Sequence, residues 1–332
     1  MKALLAVGNY PQLSETYIAA EISYFMRSGI QVRVWSPHVT VAGVAEQTKV
    51  YRGALVDAVR DFGPEVVHVH YLVYAREYAR LLEGTNVQMT VRGHSYDFSA
   101  PRAEEVAAVA RVRKIYLFPH FARMCKSPKV VPLPVAYDTT RYVRQDAKDW
   151  RLVVRLSAGK PNKGLLDFFK TAALCPEFAF TLASADVAED KSGFFDRLKE
   201  ANTELAGGRV VLLRNVPWEE AAKVTRMAGI YLDTSDPTGH PFGMPISVAE
   251  SLATGALVLA RRSAAAREYL TDAGELYDTA ADAARIIKST MAWSMEKCAA
   301  AGAAAAERAK AFADSAVLPR IVADWKVIKE GR

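Results

Sequence analysis

Three cations near residue 160 have a spacing that suits the binding of an anion. Arg155, Lys160 and Lys163 stand in the stretch RLSAGKPNKG, where an apolar run ends and a helical pattern begins. A helix start offers unpaired N–H groups and the positive end of the helix dipole, and neighbouring cations add charge. A diphosphate fits this combination, although lysines in a solvated first turn would also be ordinary.

A second segment, TGHPFGMPISVAESLATG, joins a loop rich in glycine and proline to a short helix. Such a loop lets backbone N–H groups approach a ligand closely. Glu250 is the one carboxylate on this helix, and a lone carboxylate among small and apolar residues usually has a specific partner, for which a ribose diol is suitable. The two segments together predict a nucleotide site. The donor-binding residues predicted here are His240, Phe242, Gly243, Met244, Pro245, Ile246, Ser247, Val248 and Glu250.

Polar residues also follow two apolar runs of the first half, VVHVHY and TVRGHSYDF, which brings His68, His70, Arg92, His94 and Asp97 towards one sheet edge. His68 and His70 share a strand face, but two histidines without a clear third ligand make a weak metal site, so we expect polar lining and no metal. His94 follows a glycine at a strand end and is the better candidate for substrate contact. A structural histidine is the competing interpretation.

The loop GNYPQLSETY precedes the first helix, and Ser14 is placed to cap a helix that starts at Glu15. This loop could hold a phosphate or a polar acceptor, or it could be an ordinary turn with a cap. Neither G-x-G-x-x-G at this turn nor a P-loop anywhere in the chain is found. Nicotinamide chemistry and ATP hydrolysis are therefore disfavoured.

Along the chain, short apolar runs alternate with segments of helical period. This alternation is typical of β-α-β units and parallel sheets, whose strands and helices would position these residues. The predicted strands are 2–8, 31–36, 66–70, 87–92, 114–118 and 129–133, then 151–157, 178–184, 209–214, 230–234, 256–260 and 274–277. The predicted helices are 15–28, 51–62, 73–82, 102–111 and 119–124, then 163–173, 190–205, 217–228, 245–254, 263–270, 279–290, 294–314 and 316–330.

This pattern predicts two doubly wound α/β domains, residues 1–145 and 146–314, with ligand sites at the carboxyl ends of the strands, where the domains face a cleft. Residues 315–332 are expected to form a C-terminal helix that can pack back on the first domain. The polar segment 139–150 is the linker candidate. A chain of 332 residues has enough length for two cores of this size.

Charge and cysteine usage indicate the partners and the compartment. Residues 1–145 carry 18 of the 43 Lys and Arg but only 12 of the 37 Asp and Glu, so the net charge of +6 sits in the first half. Three dispersed cysteines suggest neither disulfides nor zinc, and no signal peptide is evident, which favours the cytoplasm. The basic patch consists of Arg111, Arg113, Lys114, Arg123, Lys126 and Lys129. It would attract an anionic partner or be a solvated face without one.

The order of four motifs resembles the donor domain of family 4 retaining glycosyltransferases, which have the GT-B fold. They are RLSAGKPNKGLLDFF, NVPWEEAAKVTRMAGIYLDTS, GMPISVAESLATGALVLA and REYL. The stretches YPQLSETYIAAEISYFMRSGIQVRVWSP, VVHVHY and VRGHSYDFS are similar to the acceptor domain of exopolysaccharide and lipopolysaccharide-type members. The resemblance covers most of the chain.

The resemblance implies a role for individual residues. Arg155 and Lys163 would grip the donor diphosphate, with Lys160 as a rival because the spacing is longer than usual, and Glu250 would bind the ribose hydroxyls. His94 would lie near the transferred sugar. Ser14, Glu15 and Thr16, with Arg92 and Asp97, would face the acceptor.

One position departs from the family pattern, because Phe242 stands where the first glutamate of the motif is expected. Either the donor sugar is unusual, or His240 or Asp236 substitutes, or activity is lost. Glu268 matches another family glutamate and also suits a helix start.

The prediction is metal-independent glycosyl transfer, with retention, from a UDP- or GDP-sugar and without a further cofactor. The acceptor would be anionic, either a lipid-linked glycan or polysaccharide at the inner membrane or DNA with a hydroxylated base. Two alternatives stay open: a nucleotide-sugar epimerase of the same fold, and a non-catalytic nucleotide-binding partner subunit.

Overall fold

The computed structural model describes residues 1–38, 46–186, 193–236 and 243–331. The chain divides into two compact units. The first contains Met1–Ala136 and the segment that begins at Asp314, and the second contains most of Tyr137–Ala313. In the described residues no helix is long and apolar enough to span a bilayer.

A parallel sheet of seven strands forms the centre of the first unit, in the order β3-β2-β1-β4-β5-β6-β7. The strands are β1 (Lys2–Ala6), β2 (Gln31–Trp35), β3 (Val50–Tyr51), β4 (Val66–His70), β5 (Gln88–Arg92), β6 (Val112–Leu117) and β7 (Val130–Pro132). The helices of this part are α1 (Thr16–Arg27), α2 (Leu55–Phe62), α3 (Leu72–Leu81), α4 (Ala100–Ala107) and α5 (Pro119–Ala122).

The second unit has a parallel sheet of six strands, in the order β10-β9-β8-β11-β12-β13. The strands are β8 (Asp149–Ala158), β9 (Ala179–Ala185), β10 (Val211–Arg214), β11 (Ala228–Asp233), β12 (Leu257–Arg261) and β13 (Gly274–Tyr277). The helices are α6 (Leu165–Leu174), α7 (Phe194–Ala206), α8 (Trp218–Met227), α9 (Ile246–Thr254), α10 (Ala264–Leu270), α11 (Ala280–Ser289) and α12 (Met295–Ala309).

The C-terminal segment completes the core of the first unit. It forms α13 (Asp314–Val317) and α14 (Pro319–Lys329). Trp325 is fully buried there, with its ring centroid 4.6 Å from that of Phe25 and its indole N–H donating to Thr90 Oγ1 at 3.0 Å. The first unit is therefore assembled from both ends of the chain.

The predicted fold class of two doubly wound parallel sheets is confirmed, and the main differences from prediction are local. The helix expected to start at Glu15 begins at Thr16, with Glu15 as its N-cap residue, so the prediction of Ser14 as the cap is wrong. The polar segment 139–150 is not a free linker, because Tyr142 is buried and Asp149 already begins β8. The Ala-rich helix ends at Ala309 rather than at residue 314. A 3-10 turn, Lys310–Phe312, follows it, and the backbone becomes extended at Ala313.

Candidate functional site

A compact loop at the carboxyl end of β8 holds the two lysines of the predicted diphosphate site. Residues Pro161–Lys163 form a single 3-10 turn, and Gly164 follows with a positive φ of 60° and leads into α6. The hydroxyl of Thr234 donates to the Lys163 carbonyl at 3.0 Å, which ties this loop to the end of β11. The loop is therefore fixed against two neighbouring strand ends.

Arg155 is buried in a network of its own unit. Its guanidinium forms an ion pair with Asp233 and donates to Tyr231 Oη at 2.9 Å and Ser235 Oγ at 2.8 Å. Burial lowers the pKa of Arg155, but Asp233 and the tyrosines outweigh it and the pKa is raised. The charge of Arg155 is thus balanced by Asp233, and Lys160 and Lys163 are the other cations of this loop.

Lys163 is the cation with the most perturbed environment in this loop. Burial and, to a smaller extent, the nearby charge of Arg155 lower its pKa to about 8, while Asp233 acts in the opposite direction. A bound anion would favour the protonated amine and raise this pKa. The loop can therefore couple anion binding to proton uptake.

Helix α9 presents the predicted ribose ligand, and Pro245 is its N-cap residue. Glu250 is only 3% exposed, and its carboxylate, together with burial, raises the pKa of the buried Tyr142 hydroxyl well above its usual value. Ser247 accepts a hydrogen bond from Tyr231 at 2.6 Å, which links α9 to the Arg155 network.

The other predicted donor-binding residues differ in what they can offer. Met244 and Val248 are buried, Val248 completely, whereas Pro245 and Ile246 are partly exposed. Gly243 is buried at the start of the described segment. The predicted residues His240 and Phe242 lie outside the described residues.

A cavity of about 510 Å³ opens where β12 ends and α10 begins. It is lined by Arg262, Ser263, Ala264, Arg267 and Glu268. Glu268 is exposed on α10, and Ser263, rather than Glu268, caps this helix by accepting from the Ala266 N–H at 2.9 Å. Glu268 has no part in starting the helix.

The first unit contains a buried charge network around Glu21 of α1. One carboxylate oxygen lies 3.3 Å from Arg92 Nε, and the other lies 3.5 Å from His68 Nε2 and 3.3 Å from His70 Nε2. Burial alone would raise the pKa of Glu21, but Arg92 and the two histidines hold it well below its usual value. Glu21 is therefore an ionised carboxylate in the interior.

In the described part of the chain, one group of potential metal ligands lies close together: Glu21, His68 and His70. The sequence reasoning lacked this third group, because Glu21 lies on α1, far from the histidines in sequence. Arg92 already balances the carboxylate, so a divalent cation would leave two uncompensated positive charges in a fully buried site. The charges therefore favour an ion-paired network over a metal centre.

The network continues to His94. His70 Nδ1 lies 3.3 Å from His94 Nε2, within hydrogen-bond distance, and the direction of this bond depends on the tautomers of the two rings. Burial lowers the pKa of His94 well below its usual value, with His70 and Arg92 adding to the effect. His94 is thus a neutral imidazole, 8% exposed, whose ring stacks on that of His70.

The predicted acceptor residues divide into buried and accessible ones. Arg92 is 3% exposed, paired with Glu21, and donates to the Pro134 carbonyl at 2.6 Å. Asp97 is 1% exposed and accepts from the N–H groups of His94 and Leu72; burial raises its pKa to about 6, although these bonds lower it. The partly exposed residues are Ser14, Glu15 and Thr16.

Much of the basic patch lies at the amino ends of the strands, away from these residues. Arg111 donates to the Val87 carbonyl at 3.1 Å and Arg113 to Gln88 Oε1 at 2.9 Å, both just before or at the start of β5. Lys129 directly precedes β7 and donates to the Ala107 carbonyl at 2.7 Å. These cations support the sheet's amino edge, whereas ligands of open α/β sheets bind at the carboxyl edge.

Sequence reasoning missed several site residues because their signals are spatial. Asp233 and Tyr231 lie at the end of β11, and Glu21 and Tyr71 complete the network and the surface around His94. Tyr71 has a φ of 78°, which a bulky side chain rarely adopts. The position directly after HVH was a usable signal for Tyr71, while no local pattern singled out Glu21.

Comparison with solved structures shows the same two-unit architecture in several enzymes. HepE from Anabaena, in complex with UDP and glucose, has a TM-score of 0.75 at 14% identity over 98% of this chain and 99% of that one. Sucrose-phosphate synthase from Thermosynechococcus elongatus has a TM-score of 0.75 at 15% identity over 100% of both chains. The catalytic domain of starch synthase IV from Arabidopsis thaliana, bound to ADP and acarbose, has a TM-score of 0.72 at 11% identity over 99% of both chains.

At such low identity these likenesses show the fold, so the predicted GT-B fold is confirmed. No protein-family model matches the sequence, and no curated protein matches it either. Membership of family 4 stays a prediction.

Proposed function

We propose that the chain is a glycosyltransferase that moves a sugar from a nucleotide diphosphate sugar to an acceptor, with retention of anomeric configuration and without a metal. The observation that carries this proposal is the site in the second unit, where Lys163 with its lowered pKa shares a strand edge with Arg155. Glu250 on α9 supplies a buried carboxylate in the same unit. The GT-B fold and the UDP held by HepE support a nucleotide in such a unit.

The donor is proposed to be a UDP- or GDP-sugar, and no further cofactor is needed. Lys160 and Lys163 would neutralise the departing diphosphate, since Arg155 already shares its charge with Asp233. Arg155 would then hold the ends of β8 and β11 together. Glu250 would accept hydrogen bonds from the ribose hydroxyls.

The first unit is proposed to bind the acceptor, with His94 near the transferred sugar. A neutral imidazole can accept or donate a hydrogen bond without adding charge to the site. The anionic acceptor expected from the basic patch has little support from its placement, because Arg111, Arg113 and Lys129 serve the amino edge of the sheet.

Donor hydrolysis without an acceptor tests this function. The purified protein is incubated with UDP-, GDP-, ADP- and dTDP-sugars, and the released nucleotide and sugar are measured. We expect slow cleavage of one donor, reduced about 100-fold or more in Lys163→Ala, because one charged contact to the leaving group is lost. Glu250→Gln should weaken donor binding as well, since it removes the charged acceptor for the ribose hydroxyls.

The matched control is Lys170→Ala on α6, whose exposed amine pairs with Asp167 of the same helix at 3.1 Å. This variant should cleave the donor at the normal rate. Equal loss in both lysine variants would contradict the assigned role of Lys163. Tight nucleotide binding without cleavage of any donor, even when acceptors are added, would favour the non-catalytic alternative.

A further inference from the structure

Three adjacent strands of the first unit end in one aromatic surface. In the sheet order β1, β4 and β5 are neighbours, and each is parallel to the next. Glu15 precedes the helix after β1, Tyr71 directly follows β4, and Tyr96 lies in the turn after β5. We call the surface formed by Glu15, Tyr17, Tyr71, His94 and Tyr96 the tyrosine crest. It lies at the carboxyl edge, where open α/β sheets bind ligands.

The rings of the crest are packed in a continuous series. The centroid of Tyr96 lies 5.1 Å from that of Tyr71, which lies 4.4 Å from that of His94. Tyr17 covers His94 from another side at 4.7 Å. Tyr96 is the outermost ring and is 55% exposed, whereas Tyr71 is buried. A supported aromatic ring therefore faces solvent next to the imidazole.

The hydroxyl groups of the crest are anchored to a carboxylate. Tyr71 donates to Glu15, and its oxygen also contacts the hydroxyl of Tyr17. Burial and the charge of Glu15 raise the pKa of Tyr17 and Tyr71 well above the usual value, so both stay protonated. The crest thus contains neutral hydroxyls joined to one carboxylate, next to the exposed ring of Tyr96.

The backbone at Tyr71 is held in an unusual conformation. Its φ of 78° is strained for a bulky residue. The Tyr71 N–H donates to the carbonyl of Arg92, the last residue of β5, at 2.8 Å. This hydrogen bond ties Tyr71 to the end of the neighbouring strand. The packing thus maintains a costly conformation that places this ring between His94 and Tyr96.

Within the described part of the first unit, the charges near the crest do not match an anion. Arg92 is paired with Glu21. Arg102, a cation near the crest, donates to the Asp97 carbonyl at 2.6 Å. His94 is neutral, and Glu15 would repel a phosphate or carboxylate. An aromatic ring with adjacent hydroxyl and carboxylate groups suits instead a polyhydroxylated ring with apolar C–H faces.

We propose that the tyrosine crest is the acceptor subsite and that it takes an uncharged sugar ring. The sugar stacks one apolar face on Tyr96, and its hydroxyls bond to Glu15 and to the hydroxyls that Glu15 orients. This inference rests on the proposed function and names the class of its acceptor.

The test uses matched pairs of glycosides that differ in charge: the methyl or p-nitrophenyl glycoside of a neutral hexose, and the same compound as its 6-phosphate or uronic acid. Transfer from the donor identified by hydrolysis is measured for each pair. We expect turnover of a neutral member and little of its anionic partner. Tyr96→Ala should raise the acceptor KM about three- to tenfold, because a stacking surface is lost. Tyr96→Phe should retain the acceptor KM.

Two further measurements separate this proposal from the function itself. Donor hydrolysis by the wild-type protein without an acceptor tests the function alone, and the triple variant Arg111→Gln, Arg113→Gln, Lys114→Gln should keep the acceptor KM. Preference for the anionic glycosides, lost in the triple variant, would overturn the proposal. If no donor is cleaved, binding of the neutral glycosides by saturation-transfer NMR still decides: loss of binding in Tyr96→Ala supports the subsite, and equal or undetectable binding in both proteins overturns it.

Discussion

Lys163 shows how the fold sets the charge of one residue. Its amine lies in a half-buried loop near Arg155, so in the free protein the pKa is about 8 rather than the usual 10.5. Near pH 7 the amine is mostly charged, and above pH 8 it is mostly neutral. Above pH 8, binding of a diphosphate that needs this charge therefore requires Lys163 to take up a proton from solvent.

We therefore expect UDP or GDP affinity to be nearly constant between pH 7 and 7.5 and to fall above pH 8, by up to about tenfold per pH unit until the pKa of the bound state is passed. Calorimetric titration between pH 7 and 10, in buffers of different ionisation enthalpy, reports both the affinity and the proton uptake. The range lies above the second phosphate pKa, which is near 6. Lys163→Arg should remove the dependence, since arginine stays charged; the same slope in that variant would refute the assignment.

At the scale of elements, the turn between β8 and α6 determines where the loop of Lys160 and Lys163 lies. Gly164 is the N-cap residue of α6 and has a positive φ. A Cβ at this position would lie 2.0 Å from the Thr234 carbonyl oxygen, so the loop and the end of β11 pack backbone against backbone. Gly207, at the end of α7, has a similar φ of 62° but no atom within 4 Å of such a Cβ.

Gly164→Ala and Gly207→Ala should therefore separate backbone strain from close packing. Both variants place alanine in the left-handed region, which costs about 1 to 2 kcal/mol. Gly164→Ala carries an additional overpacking cost of about 1 to 3 kcal/mol, because backbone atoms must move. Chemical denaturation should show the larger loss of stability for Gly164→Ala, together with weaker nucleotide binding. Equal losses would show that the loop relaxes without cost.

At the scale of the whole molecule, the first unit depends on residues at the far end of the chain. Val317, Leu318, Ile321 and Trp325 all lie in its core cluster with Phe25. Arg27 of α1 also pairs with the buried Asp314. The sequence from Met1 to Ala136 thus lacks part of its own hydrophobic core.

Trp325→Ala should destabilise the first unit by about 3 to 5 kcal/mol, because a large buried side chain and its hydrogen bond are lost. Hydrogen exchange should show lower protection in β1 and β4, with little change in β8 and β11. Val327→Ala on the same helix is the control, since Val327 is 44% exposed and should change stability by less than about 0.5 kcal/mol. Uniform loss of protection across both sheets would contradict the assignment of Trp325 to the core of the first unit alone.

The sequence by itself determined the elements and the sheet type, because hydrophobic period and turn residues are local. Helix α9, for example, was expected at 245–254 and is Ile246–Thr254. The two-residue strand β3 was missed, since it is too short to give a pattern. That Lys163 and Glu250 belong to one nucleotide site stays a prediction, which rests on the rule that parallel strands share a carboxyl edge and on the pairing of β8 with β11.

Only the tertiary structure decided how charges are paired. Glu21 meets His68, His70 and Arg92 through the packing of α1 on the sheet, and Arg155 meets Asp233 through the pairing of β8 with β11. Such contacts join residues that are distant in sequence, so no local pattern encodes them. The position of the basic patch at the amino edge of the sheet was likewise decided by where each strand begins. A local sequence pattern predicts those starts only to within a few residues.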